Sequence, residues 1–212
     1  MDPHTFITCL IAVTMLTLTP GVDTMLVIRN SGRGGWWDGA TTSLGICCGL
    51  FVHATLSALG ISIILLKTAW AFNILKYIGA AYLIYLGLSS LRQASKNGLP
   101  SQKLSLETLI SPFRIIRSLR EGFLSNVLNP KTILFYMAFL PQFIDPEGPH
   151  LQQSLLVALV HFCIGMFYQC SLAAMVTKAK QLIKGGTTGR VLNGLSGSIL
   201  VYIGVRLASA KQ

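Results

Sequence analysis

Apolar residues in this chain are gathered into long stretches separated by short polar connections. Six stretches can be drawn, at about residues 6–28, 40–66, 71–91, 122–143, 151–176 and 190–209. Each has roughly 20 residues, which is enough for a helix to cross the ~30 Å hydrocarbon core of a bilayer. The pattern predicts an all-α polytopic membrane protein with six transmembrane helices.

Two of these stretches contain a helix-breaking residue beside a charge. Pro20 and Gly21 precede Asp23 in the first stretch, and Pro130 precedes Lys131 in the fourth. Proline removes a backbone donor and glycine loosens the chain, so both helices should be interrupted. Within a bilayer a break is tolerated where protein or a water-filled cavity satisfies the freed carbonyls, and a charge at that depth is costly. The two breaks are therefore the first candidates for a functional site.

The second half of the chain repeats features of the first. Three matches occur in the same order, with shifts of 110, 108 and 117 residues: Thr19-Pro20 with Asn129-Pro130, Val52-His53 with Val160-His161, and Tyr85 with Tyr202. A repeated unit of three spans must enter the membrane in the opposite orientation the second time. The single domain, 1–212, would thus hold two inverted repeats, 1–91 and 122–212. Inverted repeats with broken helices are typical of transporters that bind substrate between the halves.

The composition excludes a soluble fold. Only 11% of the 212 residues are charged and 52% are hydrophobic, whereas charged residues make up about a quarter of a soluble domain. The connections are too short for a separate catalytic or nucleic-acid-binding module. The connection 92–121, with arginines every third residue near its end, is expected to form an amphipathic helix on the anionic inner surface of the membrane.

The distribution of the net charge of +10 predicts the orientation. The connections after the first, third and fifth spans hold most of the basic residues: Arg29, Arg33, Arg92, Lys96, Lys103, Arg114, Arg117, Arg120, Lys178, Lys180, Lys184 and Arg190. That side should be cytoplasmic, which leaves both termini outside a bacterial-type inner membrane. The first residues lack the basic region of a cleavable signal peptide, so the first span is expected to remain.

No metal or cofactor site is predicted. The five cysteines, Cys9, Cys47, Cys48, Cys163 and Cys170, fall in apolar stretches without the spacing of zinc ligands and are interpreted as packing residues. A phosphate-binding loop motif is also lacking, so coupling to ATP would require another subunit.

The motifs together resemble the lysine-exporter superfamily, specifically its homoserine, threonine and leucine efflux branch. The resemblance rests on Thr19-Pro-Gly-Val-Asp23, on Leu75-Lys-Tyr-Ile-Gly-Ala-Ala-Tyr-Leu-Ile-Tyr-Leu-Gly87, on Leu128-Asn-Pro-Lys-Thr-Ile-Leu-Phe-Tyr136 and on Phe139-Leu-Pro-Gln-Phe-Ile144. It implies export of amino acids or close derivatives from the cytoplasm, driven by the proton-motive force. Asp23 stands where many members of the superfamily have asparagine.

Asp23 and Lys131 could bind the two charges of a zwitterionic substrate. Asp23 is the only one of the seven acidic residues inside a predicted span, and intramembrane ionisable groups are usually functional. The alternative is a standing Asp23 to Lys131 ion pair that holds the broken helices together. Four polar neighbours of the breaks could either contact substrate or cap helix ends. They are Thr19, Thr24, Asn126 and Asn129.

His53 and His161 occupy matching positions and could transfer protons, because an unperturbed histidine has a pKa near ~6.5. Buried packing histidines are the competing interpretation. Gly45 and Gly49 have the spacing of a close helix contact, either within the bundle or between protomers of a homo-oligomer.

Two other classes of function compete with export. A membrane scaffold is favoured by the Gly45 and Gly49 face, but it does not explain a charge beside each break. An intramembrane enzyme could use His53 and Ser57, one helical turn apart, yet no third catalytic group accompanies them.

Overall fold

In the described part of the chain every regular element is helical. A computed structural model describes residues 3–60, 69–96, 115–145, 147–182 and 187–209. Seven α-helices lie in these ranges: α1 (Pro3–Leu18), α2 (Val22–Ala58), α3 (Ala69–Lys96), α4 (Ile115–Val127), α5 (Pro130–Leu134), α6 (His150–Leu182) and α7 (Thr187–Ser209). A π-helical turn, Phe135–Phe139, and a 3-10 turn, Leu140–Phe143, follow α5.

The first helix is interrupted at the predicted break. α1 ends at Leu18, Gly21 has an extended backbone (φ −157°, ψ −162°), and α2 begins at Val22. Any residue can adopt this backbone conformation, so Gly21 is not required for its conformational freedom. An added Cβ would lie 3.7 Å from Lys131 Cδ, which is an ordinary van der Waals contact.

The connection predicted between the first two spans, residues 29–39, does not form a loop. The chain stays helical through this region and changes direction at Gly35 alone, where φ is 76° and ψ is −163°. A left-handed φ of this kind is readily adopted only by glycine. Because one residue makes the turn, Arg29 and Arg33 lie on a helix rather than in a connection.

The second break lies between Val127 and Pro130. Pro130 occupies the first turn of α5, where its missing N–H is not needed, and the Asn129 side chain accepts a hydrogen bond from the Lys131 backbone N–H at 3.1 Å. α4 begins at Ile115, before the predicted start of the fourth span.

Only the two ends of the connection 92–121, which is predicted to form an amphipathic helix, lie among the described residues: 92–96 in α3 and 115–121 in α4. α4 takes up the last part of the predicted connection and buries one face against α2. That face consists of Ser118, Gly122, Ser125 and Asn126. The rest of the connection, residues 97–114, lies outside the described residues.

Helix packing places α2 at the centre of the described chain. α2 packs on α4 and α6, α1 packs on α6, and α3 packs mainly on α7. Two helical segments, Val22–Ala58 and His150–Lys180, are long and apolar enough to cross a membrane by length and composition, and Pro3–Leu18 and Gly194–Ser209 are shorter apolar helices. The predicted packing role of the cysteines fits Cys9 and Cys47, which are buried, but not Cys48 and Cys163, which are exposed.

Glycines bring α2 and α4 into close contact within one chain. A Cβ at Gly45 would lie 2.2 Å from the Leu119 carbonyl oxygen, and one at Gly122 would lie 2.1 Å from the Thr42 carbonyl oxygen. Gly49 leaves room for Asn126, whose Oδ1 would be 2.7 Å from an added Cβ. The contact predicted for Gly45 and Gly49 is therefore made inside this chain.

Gly122→Ala should force α4 away from α2, because both backbones meet at that point. Overpacking of this kind costs about 1–3 kcal/mol, and we expect a lower midpoint of thermal unfolding for the purified protein. Gly194→Ala is the matched control, since nothing lies within 4 Å of its added Cβ and alanine favours the helix. Equal unfolding midpoints for the two variants would contradict the close α2–α4 contact.

Candidate functional site

Asp23 joins the two helix breaks. It lies in the first turn of α2, and its carboxylate accepts three hydrogen bonds from α4 and the residues that follow it. Ser125 Oγ donates to Oδ1 at 2.9 Å, while the side-chain nitrogens of Asn126 and Asn129 donate to Oδ2 at 2.9 and 3.0 Å. Asn126 and Asn129 are among the predicted site residues, whereas Ser125 is not, because it precedes Asn126 without a motif of its own.

Lys131 caps the end of α1. Its Nζ donates to the carbonyl oxygens of Leu16 and Thr19, both at 2.6 Å. Among the described residues no Asp23–Lys131 ion pair within 4 Å is formed, so the standing ion pair considered above is wrong for this conformation. The Lys131 ammonium binds carbonyl oxygens at the end of α1. The Asp23 carboxylate is instead satisfied by neutral donors from α4 and from Asn129.

The remaining predicted polar residues have different roles. Asn129 caps α5, one of the two roles considered for it, and also donates to Asp23. Thr19 is exposed, and its hydroxyl donates to the Met15 carbonyl at 2.7 Å. Thr24 is buried in the first turn of α2.

A small cavity of about 40 Å³ lies at the junction of the breaks. Its lining includes most of the predicted set, namely Thr19, Gly21, Asp23, Thr24, Asn126, Asn129, Lys131 and His161, together with residues that the sequence did not single out, such as Thr132, Gly165 and Gln169. The volume would hold one or two water molecules, whereas ligand pockets usually measure ~300 Å³ or more. Binding of a larger molecule would require the cavity to open.

The cavity presents both signs of charge. The Asp23 carboxylate supplies the negative charge, and the Lys131 ammonium supplies a positive one. The N-terminus of α2 adds partial positive charge, because Gly21 provides no side-chain cap for the first backbone N–H groups of the helix. This arrangement suits a small molecule that carries an ammonium and a carboxylate.

The two predicted histidines both lie close to Tyr136, a fully buried residue. The His161 and Tyr136 rings are stacked with centroids 6.0 Å apart, and the His53 ring is 5.8 Å from the Tyr136 ring. The Tyr136 hydroxyl is 3.2 Å from His161 Nδ1, and His53 Nε2 is 3.1 Å from the Asn126 carbonyl oxygen. His161 lines the cavity, whereas His53 reaches the site through Asn126.

A charged cluster joins α2 to α4 beyond Asp23. It consists of Arg29, Arg33 and Asp38 on α2 and Glu121 on α4. Arg33 binds Asp38 at 2.8 Å and Glu121 at 3.1 Å, and Arg29 binds Glu121 at 3.4 Å. Only 1% of the Arg29 side chain is exposed. Asp38 and Glu121, which lie outside the predicted spans, are thus acids within helices as Asp23 is.

Two neighbours extend the charged cluster along α4. Ser118 donates to Asp38, and Arg117 binds Glu121 at 2.9 Å. The i, i+4 spacing of Arg117 with Glu121 was the available signal in the sequence.

A family model and several known proteins match nearly the whole chain. The family model described as "LysE type translocator" matches residues 14–211. An uncharacterized membrane protein of Bacillus subtilis is 34% identical over 205 residues, covering 96% of this chain and 98% of the relative. A homoserine/homoserine lactone efflux protein of Salmonella typhi is 32% identical over 203 residues, covering 96% and 95%. An uncharacterized membrane protein of Vibrio cholerae is 30% identical over the full length of both chains. No solved structure matches the chain.

Proposed function

Because this chain belongs to the LysE type translocator family, we propose that it is a secondary active exporter of amino acids or close derivatives, homoserine-like in size, from the cytoplasm. The observation that carries the proposal is the meeting of two broken helices at one cavity that presents Asp23 and Lys131. Its relatives in Bacillus subtilis and Salmonella typhi are named as a membrane protein and an efflux protein, which supports the same class of function.

We propose six membrane-spanning segments arranged as two inverted repeats. The first span would consist of α1 and α2 up to Gly34, the second of the rest of α2, and the third of α3. The fourth would consist of α4, α5 and the turns that follow, and α6 and α7 would complete the second repeat. The shared order of broken helix, long helix and final helix supports this arrangement. The distribution of basic residues favours a bacterial-type inner membrane with both termini outside.

Substrate binding follows from the charges at the cavity. The substrate ammonium would contact Asp23, and its carboxylate would contact Lys131 and the free N–H groups at the start of α2. Thr24, at the same helix end, is positioned to donate to the carboxylate. Lys131 would exchange one of its two carbonyl partners for the substrate, so binding would loosen α1 from α5.

Transport by alternating access requires a gate, and we assign the charged cluster to the cytoplasmic one. Arg29 lies six residues beyond Asp23 on α2, a rise of roughly 9 Å. The ion pairs of Glu121 with Arg29 and Arg33 hold α4 against α2 on that side of the cavity. Opening toward the cytoplasm would separate these helices. The proton-motive force would reset the carrier by antiport, with protons exchanged at the polar layer that holds Asp23 and His161.

The test is efflux of preloaded amino acids from cells that overproduce the protein. Loss of homoserine, threonine or another amino acid should be faster than from cells carrying an empty vector, and an uncoupler should slow it. Vector-level efflux across a broad panel would overturn the proposal and favour the scaffold or the enzyme. Rapid efflux that ignores the uncoupler would overturn proton coupling alone.

Lys131→Gln tests the cationic side of the site. The variant keeps one donor for the α1 carbonyls but removes the charge that would bind a carboxylate. We expect export to fall at least tenfold at equal membrane abundance, since a hydrogen bond to a charged group contributes about 1.5–3 kcal/mol. Lys178→Gln, an exposed lysine on α6, is the matched control. Wild-type export by Lys131→Gln would show that the lysine only caps α1.

A further inference from the structure

Gln169 has a buried amide oxygen to which no group among the described residues donates a hydrogen bond. It lies on α6 and is 7% exposed. Its Oε1 has no hydrogen-bond partner in the part of the chain that the structure describes, and its side chain lines the cavity beside Asp23 and Lys131. Because a buried polar atom without a partner is costly and uncommon, such an atom needs an explanation.

The register of α6 against α2 places Gln169 at the level of Asp23. Ala173 and Val27 belong to one buried cluster, and further along both helices Lys180 Nζ donates to the Gly32 carbonyl at 2.7 Å. Residue numbers increase in the same direction along both helices, from Ala173 to Lys180 on α6 and from Val27 to Gly32 on α2, so these two segments are parallel. One helical turn before Ala173 is Gln169, and one turn before Val27 is Asp23. The two side chains therefore border the cavity at the same height.

Gln169 Oε1 can supply a hydrogen-bond acceptor for a bound ammonium in addition to the Asp23 carboxylate. A carboxylate has about four acceptor sites, and three are used by Ser125, Asn126 and Asn129. An ammonium has three N–H donors to satisfy, so Asp23 can neutralise its charge but cannot accept all of its hydrogen bonds. Another acceptor is needed close by, and Gln169 Oε1 is available.

We propose that Gln169 is a substrate-contact residue whose Oε1 accepts a hydrogen bond from the substrate ammonium bound at Asp23. This inference rests on the proposed export of amino acids and names a contact within the same site. The role of Gln169 is to hold and orient the ammonium. It should therefore affect the apparent affinity for substrate more than the turnover rate.

The experiment measures exchange of labelled L-homoserine by the purified full chain in proteoliposomes. Gln169→Leu removes the acceptor and should raise KM about tenfold or more, as expected for an unsatisfied hydrogen-bonding group, while the maximal rate stays within about twofold. Gln169→Glu keeps acceptor oxygens at the same place and should return KM to within about threefold of wild type. Gln152→Leu, an exposed glutamine on the same helix, should behave as wild type.

Several outcomes would overturn the proposal, and each identifies what is wrong. A normal KM in Gln169→Leu would exclude the contact. A loss in Gln169→Glu as large as in Gln169→Leu would show that the amide donates rather than accepts. Should Gln169→Leu not fold, Gln169→Met takes its place with the same expected rise in KM. If wild type exchanges neither homoserine nor any amino acid of a broad panel, the proposed function itself fails, which is distinguishable from a failure at Gln169.

Discussion

Replacing Asp23 with asparagine is expected to lower amino-acid export by about 10- to 100-fold at equal membrane abundance. The variant keeps the size of the side chain but removes the charge that would neutralise a substrate ammonium. It also brings an NH2 group among three donors, from Ser125, Asn126 and Asn129, that now bind the carboxylate. Hydrogen bonds to charged groups contribute about 1.5–3 kcal/mol each, which corresponds to this range of effect.

The measurement is initial efflux from preloaded cells, with protein in the membrane fraction quantified for each strain. Glu147→Gln is the matched control, since Glu147 is an exposed acid that does not line the cavity. Its export should equal that of wild type. Wild-type export by Asp23→Asn would mean that the carboxylate serves only to tie α2 to α4, and the proposed binding of the ammonium would be withdrawn.

Replacing Glu121 with glutamine is expected to have the largest effect on stability. Glu121 compensates two buried arginines, Arg29 and Arg33, and also binds Arg117. Removing one partner of a buried pair costs about 3–5 kcal/mol, because the other charge stays buried without compensation. Arg33 retains Asp38, so Arg29 should be the group most affected. At roughly 2–4 °C for each kcal/mol in a chain of this size, the unfolding midpoint should fall by about 6–20 °C.

Thermal unfolding of the purified protein checks this expectation. The double variant Arg29→Met with Glu121→Gln should be less destabilised than the sum of the single changes, because it removes the uncompensated arginine together with its partner. Glu147→Gln should leave the midpoint unchanged. A midpoint within about 2 °C of wild type for Glu121→Gln would show that the charged cluster does not hold α4 to α2, and the gate assigned to it would lose its support.

Several features of the site follow from residues that are adjacent in sequence. Pro20 and Pro130 interrupt helices wherever the rest of the chain lies, because proline lacks an N–H donor. Asn129 beside Pro130 indicates a helix cap for the same local reason. The charged residues next to the breaks, Asp23 and Lys131, could therefore be proposed as a site before any contact was known.

The tertiary structure decided which groups satisfy these residues. The partners of Asp23 lie 102 to 106 residues away along the chain, and no local signal distinguishes Ser125 from other serines. Lys131 binds the end of α1 rather than Asp23 because the break leaves carbonyls that need a donor. The single-residue kink at Gly35 likewise depends on a positive φ that composition does not reveal.

The sequence by itself determined the helical class, the positions of both breaks and the polar residues beside them, since these depend on runs of apolar residues and on the backbone chemistry of proline. The assembly of the charged cluster and the orientation of Gln169 toward the cavity were decided only by packing. Gly45 and Gly122 let α2 and α4 approach closely, and it is this approach that puts Glu121 against arginines that the pattern had assigned to a loop.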